Sequence, residues 1–434
     1  MQETPADWDR QFVWHPFTNM GHWLESEPLT IVSGQGCRIT DQNGNSYLDG
    51  NSSIWTNIHG HNHPRLNAAI HRQLERIAHS SFLGLSNPPA AQLAKELCQL
   101  WSPHFARCFF SDNGSTAIEA ALKMALQFHQ LTGNPQKNTF AAFQGAYHGD
   151  TLGASSLGGI PLFFQRFHQH HTPVIHVNSL PDLQEQATES LAAVVIEPLV
   201  QGANRMHFWP KDLLQQLQHW CTNHNVLLIA DEVMTGFGRT GKMFACQHEN
   251  VRPDLVALAK GLTGGYSPLA ATLVAEHVFH PFNSTNPNST LFYGHSYTGH
   301  QLGCSIALEN LALFRETPVL EQVTKSSELL SQAIQHDLLP LASVANPRVL
   351  GLIAAFDLVQ PASRTPFPTE LNIGAKVCLA ARQFGLLTRP ILDTLVIMPP
   401  LSISPSEIRL ITSALRNALL STPQPPTPCP SLPP

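Results

Sequence analysis

Two short, uninterrupted apolar runs, Val226–Ala230 and Leu255–Ala259, constrain this chain more than any other feature. Neither alternates polar with apolar side chains, so neither suits a sheet with one wet face. Both fit strands covered on both faces. The first runs into Asp231-Glu232 and the second into Lys260-Gly261. Parallel strands of this kind gather their C-terminal ends along one sheet edge, where open α/β sheets bind ligands. An acid and an amine delivered to neighbouring strand ends are expected to face one ligand.

The remaining sequence supports that architecture. A length of 434 residues suits two domains, with ample core for a large sheet. Between about residues 65 and 320 helical and strand patterns alternate, as a sheet covered by helices requires. Gly114-Ser115 opens a helix whose apolar face includes Ala117, Ala121, Leu122, Ala125 and Phe128. Phe140–Phe143, Ala192–Ile196 and Ala270–Val274 read as further strands. Asn43-Gly44, between alternating segments, predicts a hairpin among short turn-rich N-terminal strands. A helix follows Thr317-Pro318, then a β/α region containing Val349–Phe356, Ala375–Phe384 and Leu395–Met398. The expected division is an arm over 1–60, a large domain over 61–320, a small domain over 321–420 that the arm joins, and a disordered proline-rich tail over 421–434.

Composition excludes some functions. A net charge of −6 without a basic stripe argues against nucleic-acid binding. Only 13% of residues are charged, so a partner subunit is expected to cover part of the surface. The eight cysteines are scattered and form no CxxC pair, which suits reduced thiols in a cytoplasm. The N-terminus carries no signal-peptide core, and no apolar run reaches membrane-spanning length. A soluble, cytoplasmic protein is expected.

Several motif matches dissolve on inspection. Gly236–Gly241 fits GxGxxG, and Gly236–Lys242 fits GxxxxGK. Met243 follows where a P-loop needs a hydroxyl for Mg²⁺, and Pro253 would cut short a dinucleotide-binding helix. Gly294-His295-Ser296 lacks the closing glycine of a nucleophile elbow, since Thr298 stands there. His59, His61 and His63 alternate like metal ligands, but Gly60 and Pro64 interrupt any strand and no acidic or Cys partner is near. No metal is expected, and His168–His171 reads as solvated surface.

What survives is an ordered set of groups. Gly114-Ser115 at a helix start offers unpaired N–H groups to an anion. Tyr147 follows a strand and is placed to lie on an aromatic ring. Glu197, Asp231 and Lys260 end three successive strands. An amine for a Schiff base and an acid for a pyridine nitrogen match the needs of pyridoxal phosphate. Taken singly, each group has a plain structural explanation; in this order they point to one site.

Asp231-Glu-Val-Met-Thr-Gly-Phe-Gly-Arg-Thr-Gly241, followed by Lys260-Gly-Leu-Thr-Gly-Gly265, resembles the signature of class III pyridoxal-phosphate aminotransferases. The resemblance spans nearly the whole chain short of the tail. Trp14–Thr18, Ser52–His61, Tyr147–Thr151, Gly294–Gly299 and Thr388–Pro390 are similar to the branch that aminates 8-amino-7-oxononanoate to 7,8-diaminononanoate in biotin synthesis. The resemblance implies fold type I, with a mostly parallel seven-stranded sheet, a smaller α/β domain, and an active site shared across a homodimer. It implies Lys260, Asp231 and Tyr147 as catalytic groups. Gly114, Ser115, Tyr147, Glu197, Asp231, Lys260, His295 and Ser296 would bind the cofactor, Ser296 from across the dimer. Phe17, Ile54, Trp55, Tyr147, Gly294 and Arg389 would contact substrate, with Arg389 taking its carboxylate as a planar fork does. Many members carry Trp at Ile54 and Tyr at Phe17. S-adenosylmethionine is the usual amino donor of the family and is the first donor expected; those two departures and the Gly294–Gly299 string resemble the branch that uses lysine, the other donor expected. Another ω-amino acid aminotransferase or a mutase on the same fold is the alternative enzyme. A cofactor-sensing regulator would need an appended DNA-binding domain.

Overall fold

The computed structural model describes residues 4–26, 28–101 and 103–422, so the expected tail lies outside it except for Ser421 and Thr422. Its centre is a seven-stranded sheet in the order Phe105–Ser111, Ala270–Ala275, Leu255–Leu258, Leu227–Asp231, Leu191–Ile196, Thr139–Phe143, Val174–Val177. Every strand runs parallel except Ala270–Ala275, which is antiparallel to both neighbours. The connection from Leu258 to Ala270 contains only a 3₁₀ turn, too little for the helical crossover that parallel pairing demands. The four central runs anticipated from sequence are strands buried along their whole length. The helix Gly114–Leu131 lays Ala117, Ala121, Ala125 and Phe128 into the core they share.

The two strands without a sequence signal, Phe105–Ser111 and Val174–Val177, are the sheet's edges. An edge strand tolerates polar residues such as Arg107 and His176, so its apolar run is broken and the signal fades.

A second core unites the chain's ends. Ile31–Gln35, Arg38–Asp41 and Ser46–Asp49 form an antiparallel sheet with its hairpin at Asn43-Gly44, and Leu386–Leu387 adds a parallel fourth strand. Cys37, Leu48 and Ile58 from this arm pack with Val323, Val377, Ile408 and Leu415 of the C-terminal helices. Val349–Phe356 spans the turn of a hairpin. It reverses at Gly351 (φ 58°), joining Val344–Leu350 to Ile353–Leu358. The arm also holds helices Pro5–Phe12 and Met20–Leu24, where turn-rich strands were expected; Thr4 and Asn19 cap them. The closing helix Pro405–Ser421 reaches one residue into the expected tail.

Candidate active site

Glu197, Asp231 and Lys260 follow three adjacent strands and meet at one edge of a cavity of about 520 Å³. Asp231 is only 5% exposed. One of its oxygens accepts the Val233 N–H at 3.0 Å and the other pairs with His148 Nδ1 at 2.7 Å. His148 is itself buried, and its Nε2 finds no partner among the described residues. Burial alone would lower the imidazole pKa, but the bond and charge of Asp231 outweigh it, and the net shift is upward. Asp231 therefore sits beside a group that favours the cationic form, and its carboxylate stays held and oriented.

Glu197 receives two backbone donors, Tyr147 N at 3.1 Å and Gly202 N at 2.7 Å. Burial is the main reason its pKa is pushed up to about 7, with His148 opposing and the charge of Asp231 reinforcing. Lys260 is half-buried and faces the cavity rather than bulk water. Its backbone is left-handed (φ 45°), and the following turn is pinned by Asn310, whose amide donates to Gly261 O and Leu262 O at 2.9 Å each. Burial lowers the amine's pKa against the pull of Asp231 and Glu197, which enlarges the neutral, nucleophilic fraction.

Opposite these groups is the start of the Gly114–Leu131 helix, capped by Asn113, whose side chain accepts the Thr116 N–H at 3.1 Å. First-turn N–H groups have no intrahelical acceptor, and Gly114 and Ser115 line the cavity there. The cradle has no room for larger residues. A Cβ on Gly114 would stand 2.9 Å from Val233 Cγ1, and one on Gly149 (φ 122°) 2.1 Å from Ser115 Oγ. Ser115 Oγ accepts the Asp150 N–H at 3.1 Å, which ties the Tyr147–Asp150 loop to the helix start. Tyr147 lines the cavity, and its hydroxyl donates to Asp150 at 2.6 Å. An anion cradle, a wall-forming tyrosine, a braced acid and a half-buried amine fit pyridoxal phosphate as a set.

Trp55 also lines the cavity, with its ring 4.8 Å from Lys260 Nζ. It ends a turn in which Ser52, Ser53, Ile54 and Trp55 all have positive φ (48°, 48°, 65° and 67°). Left-handed backbone costs an L-residue roughly 1–2 kcal/mol, so such runs need outside support. Ile54 is 45% exposed at the rim of this segment and does not line the cavity. Phe17, 64% exposed, meets the Tyr147 ring edge-on at 6.4 Å between centroids. Gly294, His295, Ser296 and Arg389 are not brought into this chain's own cavity. His79 Nε2 holds the Ser296 carbonyl at 2.8 Å, and His295 lies 3.8 Å from Asp112. Arg389 is exposed just after Leu386–Leu387, the strand that pairs with Leu48–Asp49 ahead of the Trp55 turn.

At the level of sequence His148 stands out only as a member of the Tyr147–Thr151 string. Its signal was position: after a strand, the neighbour of a cavity-facing Tyr147 turns toward the sheet end, where Asp231 lies. The glycine-rich Gly236–Gly241 segment serves the fold. Arg239 is 1% exposed and donates to Pro399 O at 2.6 Å and to Asn57 O at 3.3 Å, joining the two cores. The alternating histidines go separate ways, His59 to Asn310 at 2.8 Å and His61 to Asp49 at 3.0 Å.

Residues 20–419 match the family model described as aminotransferase class-III. The chain is 42% identical over 442 residues to adenosylmethionine-8-amino-7-oxononanoate aminotransferase of Geobacter sulfurreducens, covering 96% of this chain and 97% of that one. The crystal structure of the enzyme of that name from Methanocaldococcus jannaschii superposes with a TM-score of 0.93 at 36% identity, covering 96% and 98% of the two chains. An amine transaminase from an uncultivated Pseudomonas species, solved with pyridoxal phosphate bound, gives 0.90 at 32% identity, covering 94% and 98%.

Proposed function

Because the chain belongs to the pyridoxal-phosphate-dependent class III aminotransferases, we propose that it aminates C7 of 8-amino-7-oxononanoate to give 7,8-diaminononanoate in biotin synthesis. The observation that carries the chemistry is the convergence of Asp231, Glu197 and Lys260 at three adjacent strand ends around one cavity. The names of the relatives support the acceptor and, with it, S-adenosylmethionine as donor.

Each residue has a task. Gly114 and Ser115 hold the phosphate with first-turn N–H groups, and Tyr147 walls the ring. Asp231, fixed by His148 and Val233, would face the pyridine nitrogen and hold a proton there. Bound pyridoxal phosphate supplies an electron sink and an amine carrier. Lys260 would hold the cofactor through its amine and, when free, its half-buried amine would carry a proton as general base and acid. Glu197 keeps Tyr147 and Gly202 in place by accepting both backbone N–H groups. Arg389 takes the keto acid's carboxylate with its fork.

Two copies complete the site, Ser296 and His295 serving the partner's cofactor. Support for this comes from their place outside the chain's own cavity and from the exposure of Trp14, Leu83 and Phe292 (87%, 92% and 88%). The protein works in the cytoplasm; among the described residues no helix is long and apolar enough to cross a membrane.

Lysine is the second donor reading, favoured by Ile54 and Phe17. An aliphatic side chain offers no broad aromatic wall for a sulfonium-bearing nucleoside, and phenylalanine no hydroxyl. A half-reaction test decides: the yellow protein is mixed with each donor alone and loss of its visible band followed. Bleaching by S-adenosylmethionine alone supports the first reading and bleaching by lysine alone the second. Failure of 8-amino-7-oxononanoate to restore the band after bleaching would remove the proposed acceptor.

A further inference from the structure

The strained turn that delivers Trp55 has an owner outside the cavity. We propose that Asp49 is a positioning residue, whose carboxylate imposes the left-handed turn Ser52–Trp55 and so sets the indole against the Lys260 amine. The inference rests on Lys260 being the cofactor-bearing lysine, and it adds a residue that does not line the cavity.

The turn's own hydrogen bonds do not choose its hand. Trp55 N donates to Asn51 O at 2.8 Å and Thr56 N to Ser52 O at 2.9 Å, the i to i−4 pattern that a right-handed turn satisfies equally. Sterics oppose the left-handed form at all four positions, and most at the β-branched Ile54. Selection must therefore come from outside. The first residue is bolted by Ser52 Oγ, which donates to Met398 O at 2.5 Å and accepts from Arg239 at 3.3 Å. The second is held by Asp49 at its N–H and hydroxyl, while its carbonyl accepts from Thr56 Oγ1 at 3.0 Å, a bond within the segment itself. One carboxylate oxygen accepts the Ser53 N–H at 3.0 Å, and the other accepts the Ser53 hydroxyl at 2.8 Å. His61 Nε2 braces that second oxygen at 3.0 Å. Asp49 is 2% exposed, so this grip works in a site largely shielded from water. Downstream, the turn lays the indole over Lys260 Nζ and against Gly202, where a Cβ would come within 3.2 Å of Trp55 Cζ3. Gly202 also supplies the N–H that holds Glu197, so the indole, the acid and the amine share one packing arrangement.

The test uses full-length protein loaded with pyridoxal phosphate, and reads crystal structures, the pH midpoint of the visible band, and kcat and KM separately. In Asp49→Ala, residues 52–55 should leave the left-handed region and the band's midpoint should shift. With the amine and indole misplaced, kcat/KM should fall about 10- to 100-fold. Adding Ser53→Gly should restore the midpoint, because glycine takes positive φ without a clamp. A merely structural aspartate would lower the melting temperature and give no such rescue. Should Asp49→Ala not fold, Ser53→Ala and Asp49→Asn replace it, and each should shift the midpoint by less. A wild-type turn and midpoint in the variants, or a shift that Ser53→Gly does not reverse, overturns the proposal. Borohydride labelling of Lys260 in the wild type separates the two ideas: its failure sinks the functional reading, whereas an unaltered turn sinks only the role of Asp49.

Discussion

Replacing Asp231 by asparagine isolates one atom's charge at the centre of the site. The carboxylate uses both oxygens as acceptors, from Val233 N at 3.0 Å and His148 Nδ1 at 2.7 Å. An amide keeps one acceptor and turns an NH₂ toward either a backbone N–H or an imidazole that Asp231 now holds toward its cationic form. It also removes the negative charge facing the pyridine nitrogen. A preorganised charge-assisted contact of this kind is worth about 2–4 kcal/mol in a transition state. That converts to a roughly 30- to 1,000-fold slower half-reaction. The assay is stopped-flow loss of the visible band with saturating donor, beside circular dichroism and a thermal melt to show an intact fold. Asp231→Asn at wild-type rate, with cofactor bound and the fold unchanged, would refute the assignment of Asp231 to the ring nitrogen. A slow rate with a collapsed melt would refute the structural part of the argument instead, since the two hydrogen bonds would then be holding the fold.

Lys260→Ala should abolish turnover while still binding cofactor, since the phosphate and ring contacts remain; borohydride should then fix no label to the peptide that carries it in the wild type. Gly149→Ala places a methyl 2.1 Å from Ser115 Oγ at a φ of 122°, so cofactor affinity should drop sharply in an equilibrium titration. Glu197 has a folded pKa raised to about 7, chiefly by burial, so the folded state holds a proton that the unfolded state has lost. Its contribution to stability therefore falls as pH rises from about 4.5 to about 7 and then levels, and the melting deficit of Glu197→Gln should shrink over that window. Arg389→Ala should raise KM for 8-amino-7-oxononanoate strongly with an unchanged visible spectrum, and Arg389→Lys should recover it only in part, because an ammonium lacks the fork.

The fold was legible wherever burial leaves a mark on residue type. Val226–Ala230 and Leu255–Ala259 announce strands covered on both faces, and their ionisable ends announce a ligand edge, because parallel pairing brings Asp231 and Lys260 to the same rim. Periodicity likewise exposed the Gly114 helix, and Asn43-Gly44 its hairpin. The edge strands Phe105–Ser111 and Val174–Val177 escaped because one side of an edge strand needs no apolar partner. Capping by Thr4 and Asn19 made helices of an arm whose composition suggested strands.

Local signals also stop short of contacts between distant segments. No spacing rule joins His148 to Asp231, because the pair meets only once the sheet has brought separate loops together. The left-handed turn at Ser52–Trp55 is the sharpest case. Its residues prefer other conformations, and the nearby Asp49 carboxylate that grips Ser53 is itself held in place by His61 from beyond the turn. Sequence alone determined which groups the chain offers and at which edge they gather; tertiary packing decided which carboxylate is braced, which amine is half-buried, and how the indole meets it.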